Sequence, residues 1–154
     1  VWVEDWINLH FEEGVLFGAP EPIRTHEKAA NLLYKRNGIV NVRRQIDMAE
    51  IYEPSSWAEL EGYVLYHFCE KGEGWRLIER GVTEIDGEFP VNPSGGVLAT
   101  NPIGATAMIR IAEAALQLRG DAGEHQVSRP VNTALATAWG GSDWTEMVLL
   151  KKSL

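Results

Sequence analysis

The chain of 154 residues is 45% apolar and 23% charged, enough for one globular domain with a sizeable core, and its longest apolar runs fall far short of a membrane span. Its formal net charge is −8 and its basic residues are scattered, which argues against a surface that tracks nucleic-acid phosphates. The single cysteine excludes an intrachain disulfide framework and leaves a reducing, cytosolic setting as the default. The chain begins Val-Trp-Val rather than with Met, as expected of a trimmed product or of one piece of something larger.

Val1 to Ile7, with Trp2, Val3 and Trp6, predicts a buried strand, and the glycines and prolines between Asn8 and Pro22 predict irregular chain. A helix opens at Thr25, buries Ala29, Ala30, Leu32, Leu33 and Tyr34, and stops at Asn37-Gly38, with His26 as a surface or capping residue. Ile46 to Tyr52 reads as a short strand broken by Glu53-Pro54. The C-terminal end of such a strand is where open α/β sheets usually carry ligands. Ser56 followed by Glu59 has capping-box spacing and predicts a helix over Trp57 to Phe68. Trp75 to Gly81 and Val82 to Phe89 alternate around turns, with Asp86-Gly87 as a hairpin signal.

Pro90 to Thr106 contains three glycines and three prolines, and it feeds an apolar-periodic segment from Ala105 to Arg119. Glycine permits positive φ or close approach to the backbone, while proline fixes φ, so this loop is shaped rather than slack. The helix begins near Gly104 to Thr106, with Met108, Ile109, Ile111, Ala112, Ala115, Leu116 and Leu118 as its apolar set and Arg110, Glu113 and Gln117 between. Its free N–H groups would face whatever sits over Asn101. Two final strands, Asn132 to Ala138 and Met147 to Leu150, are joined through Trp139-Gly140-Gly141-Ser142-Asp143-Trp144.

Asn92-Pro93-Ser94-Gly95-Gly96, Asn101-Pro102-Ile103-Gly104-Ala105-Thr106, Gln117-Leu118-Arg119-Gly120 and Ala122-Gly123-Glu124-His125-Gln126-Val127 together resemble the C-terminal half of the thiolase family. The resemblance is to the sterol-carrier-protein-type and archaeal branch especially, and it covers essentially the whole chain. It implies that residues 1–154 form one thiolase-like C-terminal domain. The implied fold is a layered α/β half with a mixed five-stranded sheet, packed on a homologous N-terminal half, and the segment after Asn8 would cover the joint.

The resemblance also implies the chemistry. The substrate would be a coenzyme A thioester with no covalently bound cofactor and no metal, and the nucleophilic cysteine would come from the N-terminal half. Cys69 follows a helix rather than lying in the family's nucleophile loop, so it is not expected to be that cysteine. Family polar positions are occupied here by Tyr52, Asn101 and Thr137 where histidine, asparagine or cysteine is usual. Asn101 and the Gly140-Gly141 turn would hold the thioester oxygen, since preorganised donors contribute on the order of 3 kcal/mol to a transition state. Ser94, Gly95, Gly96 and Glu53 would shape the substrate side. Tyr52 would orient substrate or relay a proton through water, although a phenol of pKa ~10 is a poor base near neutrality.

Three functions are then open. The first is a thiolase-like acyltransferase that forms or cleaves a carbon–carbon bond beside the thioester. The second is a retro-aldolase on β-hydroxyacyl-CoA, of the steroid side-chain type, which uses Tyr52 and pairs with a small OB-fold, zinc-ribbon acyl-CoA-binding protein. The third is a noncatalytic subunit that completes the fold and dimer of an active partner. A cysteine in the missing half would separate the first two.

Overall fold

Along Thr133–Gly140 and Trp144–Lys151, side chains alternate between two buried surfaces, and these segments form the centre of a four-stranded sheet in the computed structural model, which describes residues 1–10, 22–140 and 144–153. The strands are β1 (Trp2–His10), β2 (Met48–Glu50), β3 (Thr133–Gly140) and β4 (Trp144–Lys151), in spatial order β1-β4-β3-β2. β4 is antiparallel to both neighbours, whereas β2 and β3 are parallel, with Met48 opposite Ala134 and Glu50 opposite Ala136. The Asp47 carboxylate fixes that parallel register by accepting from the N–H groups of Asn132 and Thr133 at 2.8 and 2.9 Å.

Two of the expected strands differ. The fifth strand is reduced to one parallel bridge, Ala49 to Val91, beside β2. β1 is buried only at Ile7: among the described residues it pairs with β4 alone, and Trp2, Val3 and Trp6 are each more than half exposed. The alternation expected over 75–89 is also absent. Residues Gly74–Glu79 form a helix, and the chain beyond folds back so that the N–H groups of Phe89 and Val91 donate to the carbonyls of Val82 and Thr83. The Asp86-Gly87 turn is present, but its flanks are too short to ladder.

The helices are α1 (Pro22–Arg36), α2 (Val42–Gln45), α3 (Ser56–Leu65), α4 (Gly74–Glu79), α5 (Gly96–Ala99) and α6 (Thr106–Arg119). α1 starts three residues before Thr25, at a proline, whose fixed φ and missing N–H suit a first helical position. α3 is capped by Ser55 rather than Ser56: the Ser55 hydroxyl accepts from Ala58 N–H, and Glu59 instead accepts from the Tyr63 hydroxyl. α1 and α3 cover one sheet face through Leu33, Tyr34, Tyr63 and Tyr66, against Ile51, Leu135, Met147 and Leu149. α6 covers the other, where Ala114 and Leu118 meet Met48, Ala134, Ala136, Val148 and Leu150.

α6 is turned differently from its apolar periodicity. The stripe facing the sheet contains Thr106, Arg110, Ala114, Gln117 and Leu118, while Met108 is two-thirds exposed. Gln117 has a structural use that accounts for the distant pairing of its motif with Ala122 to Val127. Its amide donates to the His125 carbonyl at 2.6 Å and accepts from Val127 N–H at 2.9 Å, clamping the following loop.

Candidate active site

β2 is short because its last residues leave the ladder to serve side-chain acceptors. Asn92, at φ 53°, accepts from Ile51 N–H at 2.7 Å while its own N–H donates to the Ala49 carbonyl. Next along the chain, Tyr52 N–H donates to the Thr137 hydroxyl at 2.9 Å. That bond ties the chain after β2 to the middle of β3 and brings the Tyr52 backbone beside Thr137. Thr137 is itself buried, and burial pushes the pKa of the nearby Tyr66 hydroxyl up to about 12.

The loop from Asn92 to Ala99 closes on two carboxylates. Glu50, fully buried, pairs with the equally buried Arg110 of α6 at 2.8 Å, and the Ser94 hydroxyl donates to Glu50 at 2.8 Å and accepts from Arg110 at 3.0 Å. Burial raises the Glu50 pKa, against the lowering effect of Arg110 and of the bonds from Ser94. Glu53 turns toward α5, where one carboxylate oxygen accepts from the N–H groups of Val97 and Leu98 at 2.7 and 3.3 Å. The other oxygen is buried without a partner among the described residues, and burial pushes the Glu53 pKa up to about 7. Gly95 and Gly96 hold consecutive positive φ values of 88° and 64°. A Cβ at Gly96 would overlap the Glu53 carboxylate, so only glycine lets the backbone pass there.

Asn101 stands apart from this network. It is exposed at the entry to α6, and its amide oxygen accepts from the Thr106 hydroxyl at 2.8 Å and from Ile103 N–H at 3.3 Å. The oxygen is therefore engaged in the turn that leads into α6, while the amide nitrogen, the donor that an oxyanion needs, makes none of the described hydrogen bonds. Gly140 lies at the end of β3, where an added Cβ would overlap the Trp144 indole. Gly141 lies outside the described residues.

Ser94 and Glu53 are thus held inward by protein partners, and Gly95 and Gly96 shape the backbone between them. Tyr52, half-buried, faces Trp139 edge-on with ring centroids 6.1 Å apart. His26, expected at the surface, is instead buried against the same indole, at 5.6 Å. The sequence reading missed Arg110 and Glu50 as a pair and Trp139 as a wall of the site. A signal for the pair was present in an acid embedded in the apolar run Met48-Ala49-Glu50-Ile51 and an arginine on the Thr106, Arg110, Ala114 stripe. Burial also pushes the Cys69 thiol up to about 11, leaving it protonated at neutral pH and a poor nucleophile, as its place in the chain suggests.

Residues 23–152 match the family described as Thiolase C-terminal domain-like. The chain belongs to that family. The chain is 47% identical over 83 residues to an acetyl-CoA acetyltransferase of Methanothermobacter thermautotrophicus, an overlap of 53% of this chain and 22% of that protein. It is 36% identical over 102 residues to sterol carrier protein 2 of Homo sapiens, covering 66% of this chain and 18% of the relative. With the benzoylsuccinyl-CoA thiolase subunit BbsB of Thauera aromatica it shares 31% over 116 residues, 75% of this chain and 30% of that one. The thiolase-family chain thus spans less than a third of the length of each of these relatives. Among solved structures, an Ltp2-ChsH2(DUF35) aldolase chain superposes on 97% of this chain and 39% of its own, with a TM-score of 0.77 at 22% identity, a likeness of fold. No helix among the described residues is long and apolar enough to cross a membrane.

Proposed function

We propose that this thiolase-like domain is the C-terminal half of an acyl-CoA C-acyltransferase, which forms or cleaves a carbon–carbon bond beside a CoA thioester. The observation that carries the reading is the closure of Asn92 to Ala99 on the end of β2, which leads the chain to Asn101 at the start of α6. The Asn101 amide nitrogen holds the thioester oxygen together with the backbone at Gly140, and Gly141, outside the described residues, is assigned the same role. Ser94, Gly95, Gly96 and Glu53 fix the loop, and Tyr52, with Thr137 beneath it, orients the substrate or relays a proton through water. The nucleophilic cysteine comes from a homologous N-terminal half. Support for such a partner lies in exposed apolar side chains, Trp2, Val3 and Trp6 on β1 and Leu98, Ile103 and Met108 around the start of α6, each at least 55% exposed.

A second reading is retro-aldol cleavage of a β-hydroxyacyl-CoA, with an OB-fold, zinc-ribbon acyl-CoA-binding partner. It is favoured by the phenol of Tyr52 at the end of β2 and by the fold shared with an aldolase chain. The test is assay of the complete assembly purified around this chain for condensation, thiolysis and aldol cleavage of CoA thioesters. Asn101→Ala is expected to lower kcat by about 100-fold or more, as for other oxyanion donors. An unchanged kcat overturns the role of Asn101. Absence of every such activity leaves the domain a noncatalytic subunit.

A further inference from the structure

The side-chain amide of Asn101 has one held end and one free end. Its oxygen accepts from the Thr106 hydroxyl at 2.8 Å and from Ile103 N–H at 3.3 Å, while its nitrogen makes no hydrogen bond among the described residues. A backbone N–H can only donate, so the amide atom that faces Ile103 is the oxygen, and the two N–H donors of this exposed residue are left free. The two anchors differ in kind. Thr106 is fully buried on the stripe of α6 that meets the sheet, one turn before Arg110, whose pairing with Glu50 at 2.8 Å fixes the rotation of that stripe. Ile103 is 78% exposed, yet it holds φ 49°, a left-handed conformation that is costly for a β-branched residue. Its side chain gains little from packing there, whereas its N–H gains the Asn101 oxygen.

We propose that Thr106 is a positioning residue for the reaction: its buried hydroxyl holds the Asn101 oxygen so that the amide nitrogen, and not the oxygen, is presented to the thioester oxygen. This rests on the acyl-CoA reading above, in which Asn101 is the donor. Without the anchor the amide can turn about its last bond and offer an acceptor, which repels the negative oxygen that develops in the transition state. Such preorganisation acts on the transition state more than on the bound substrate, whose carbonyl carries little charge. A valine at position 106 keeps the shape of the buried side chain, and the exposed Asn101 oxygen can take water in place of the hydroxyl. The loss therefore falls on orientation rather than on folding.

The experiment measures kcat and KM of the complete assembly with the CoA thioester that it turns over. Thr106→Val is expected to lower kcat by about fivefold, the scale of one neutral hydrogen bond, with KM within about twofold of wild type. Thr106→Ser keeps the hydroxyl and is expected to recover most of that loss. In an Asn101→Ala background Thr106→Val should lower kcat no further, because its effect passes through the amide. If valine disturbs the fold, as urea unfolding would show, Thr106→Ala removes the same hydroxyl and is read in the same way. Any of three results in a folded, active assembly overturns the proposal: an unchanged kcat when the hydroxyl is removed, an equal loss in Thr106→Ser, or a loss of the same size on top of Asn101→Ala. Absence of turnover of any CoA thioester by wild type overturns instead the acyl-CoA reading on which the role of Thr106 rests.

Discussion

On the sheet face covered by α1 and α3, Ile51, Leu135, Met147 and Leu149 meet a layer of Leu33, Tyr63, Tyr66 and Phe68, and the Phe68 and Phe89 rings meet edge-on at 4.7 Å. On the face covered by α6, small residues such as Ala114, Ala134 and Ala136 bring the helix in, and the contact at its N-terminal end is the ion pair of Arg110 with Glu50. The first face is held by apolar area, which is forgiving of exchange. The second depends on paired charges in a place without water, where a missing partner is expensive. The loop of the candidate site hangs from the second face, so its position depends on electrostatics rather than on packing.

The largest break in that contrast comes from Arg110→Met. Glu50 then remains buried without a cation, and the expected loss is about 3–5 kcal/mol in urea unfolding. Adding Glu50→Gln to Arg110→Met should recover at least half of that loss, because the uncompensated charge is gone. Failure of the second change to recover stability would mean that the pair acts through shape alone. Leu33→Ala on the opposite face is expected to cost about 2–5 kcal/mol, with no charge partner able to restore it.

Next in size is a pH effect at Glu53. Burial raises its pKa from 4.5 to about 7, so the folded state binds this proton more tightly than the unfolded chain. The stabilisation is complete below about pH 4.5, declines as the pH rises, and is lost above about pH 7. Glu53→Gln keeps an oxygen for Val97 and Leu98 and does not titrate. Its stability relative to wild type should therefore improve between pH 5 and pH 8 by on the order of 3 kcal/mol, read from paired denaturation curves. A constant difference across that range would place the Glu53 titration in the ordinary carboxylate range.

These two effects mark the boundary of what could be read from sequence. Helix α1, strands β3 and β4 and the turn at Asp86-Gly87 follow from period and punctuation, which are local. The burial of Arg110 was not legible, because it depends on which face of α6 the sheet takes, and the helix carries apolar residues around most of its circumference. Ala112 and Met108 look as inward as Ala114 and Leu118 until Glu50 supplies the reason for the rotation. The edge strand β1 differs for a related reason: Trp2, Val3 and Trp6 are apolar as if for burial, yet more than half of each is exposed. Tyr52, Asn101 and Thr137 enter as positions that the family resemblance implies. The turn of the Asn101 oxygen toward Thr106 and of Glu53 toward α5 depends on backbone angles that no spacing encodes.

A smaller effect belongs to the cap of α3. Ser55→Ala removes the acceptor for Ala58 N–H and should cost about 1 kcal/mol, without the pH dependence expected at Glu53.

The smallest effect concerns how the exposed edge is attached. Arg36 at the end of α1 makes two hydrogen bonds to the Asp5 carboxylate, at 2.8 and 3.0 Å, and a third to the Trp6 carbonyl at 2.7 Å. The geometry is good, yet Arg36 is about half exposed and its field is shared with solvent. A pair of this kind contributes about 0.2–1 kcal/mol, and salt weakens it further. Arg36→Ala should therefore shift stability by less than about 1 kcal/mol, and by less again at 1 M salt. The ladder from Trp2 to His10 along β4 is then what holds β1 in place. If the loss instead matched that of Arg110→Met, this ion pair would be the principal attachment of the edge strand, and the contrast between a charge-held interior and a ladder-held edge would not stand.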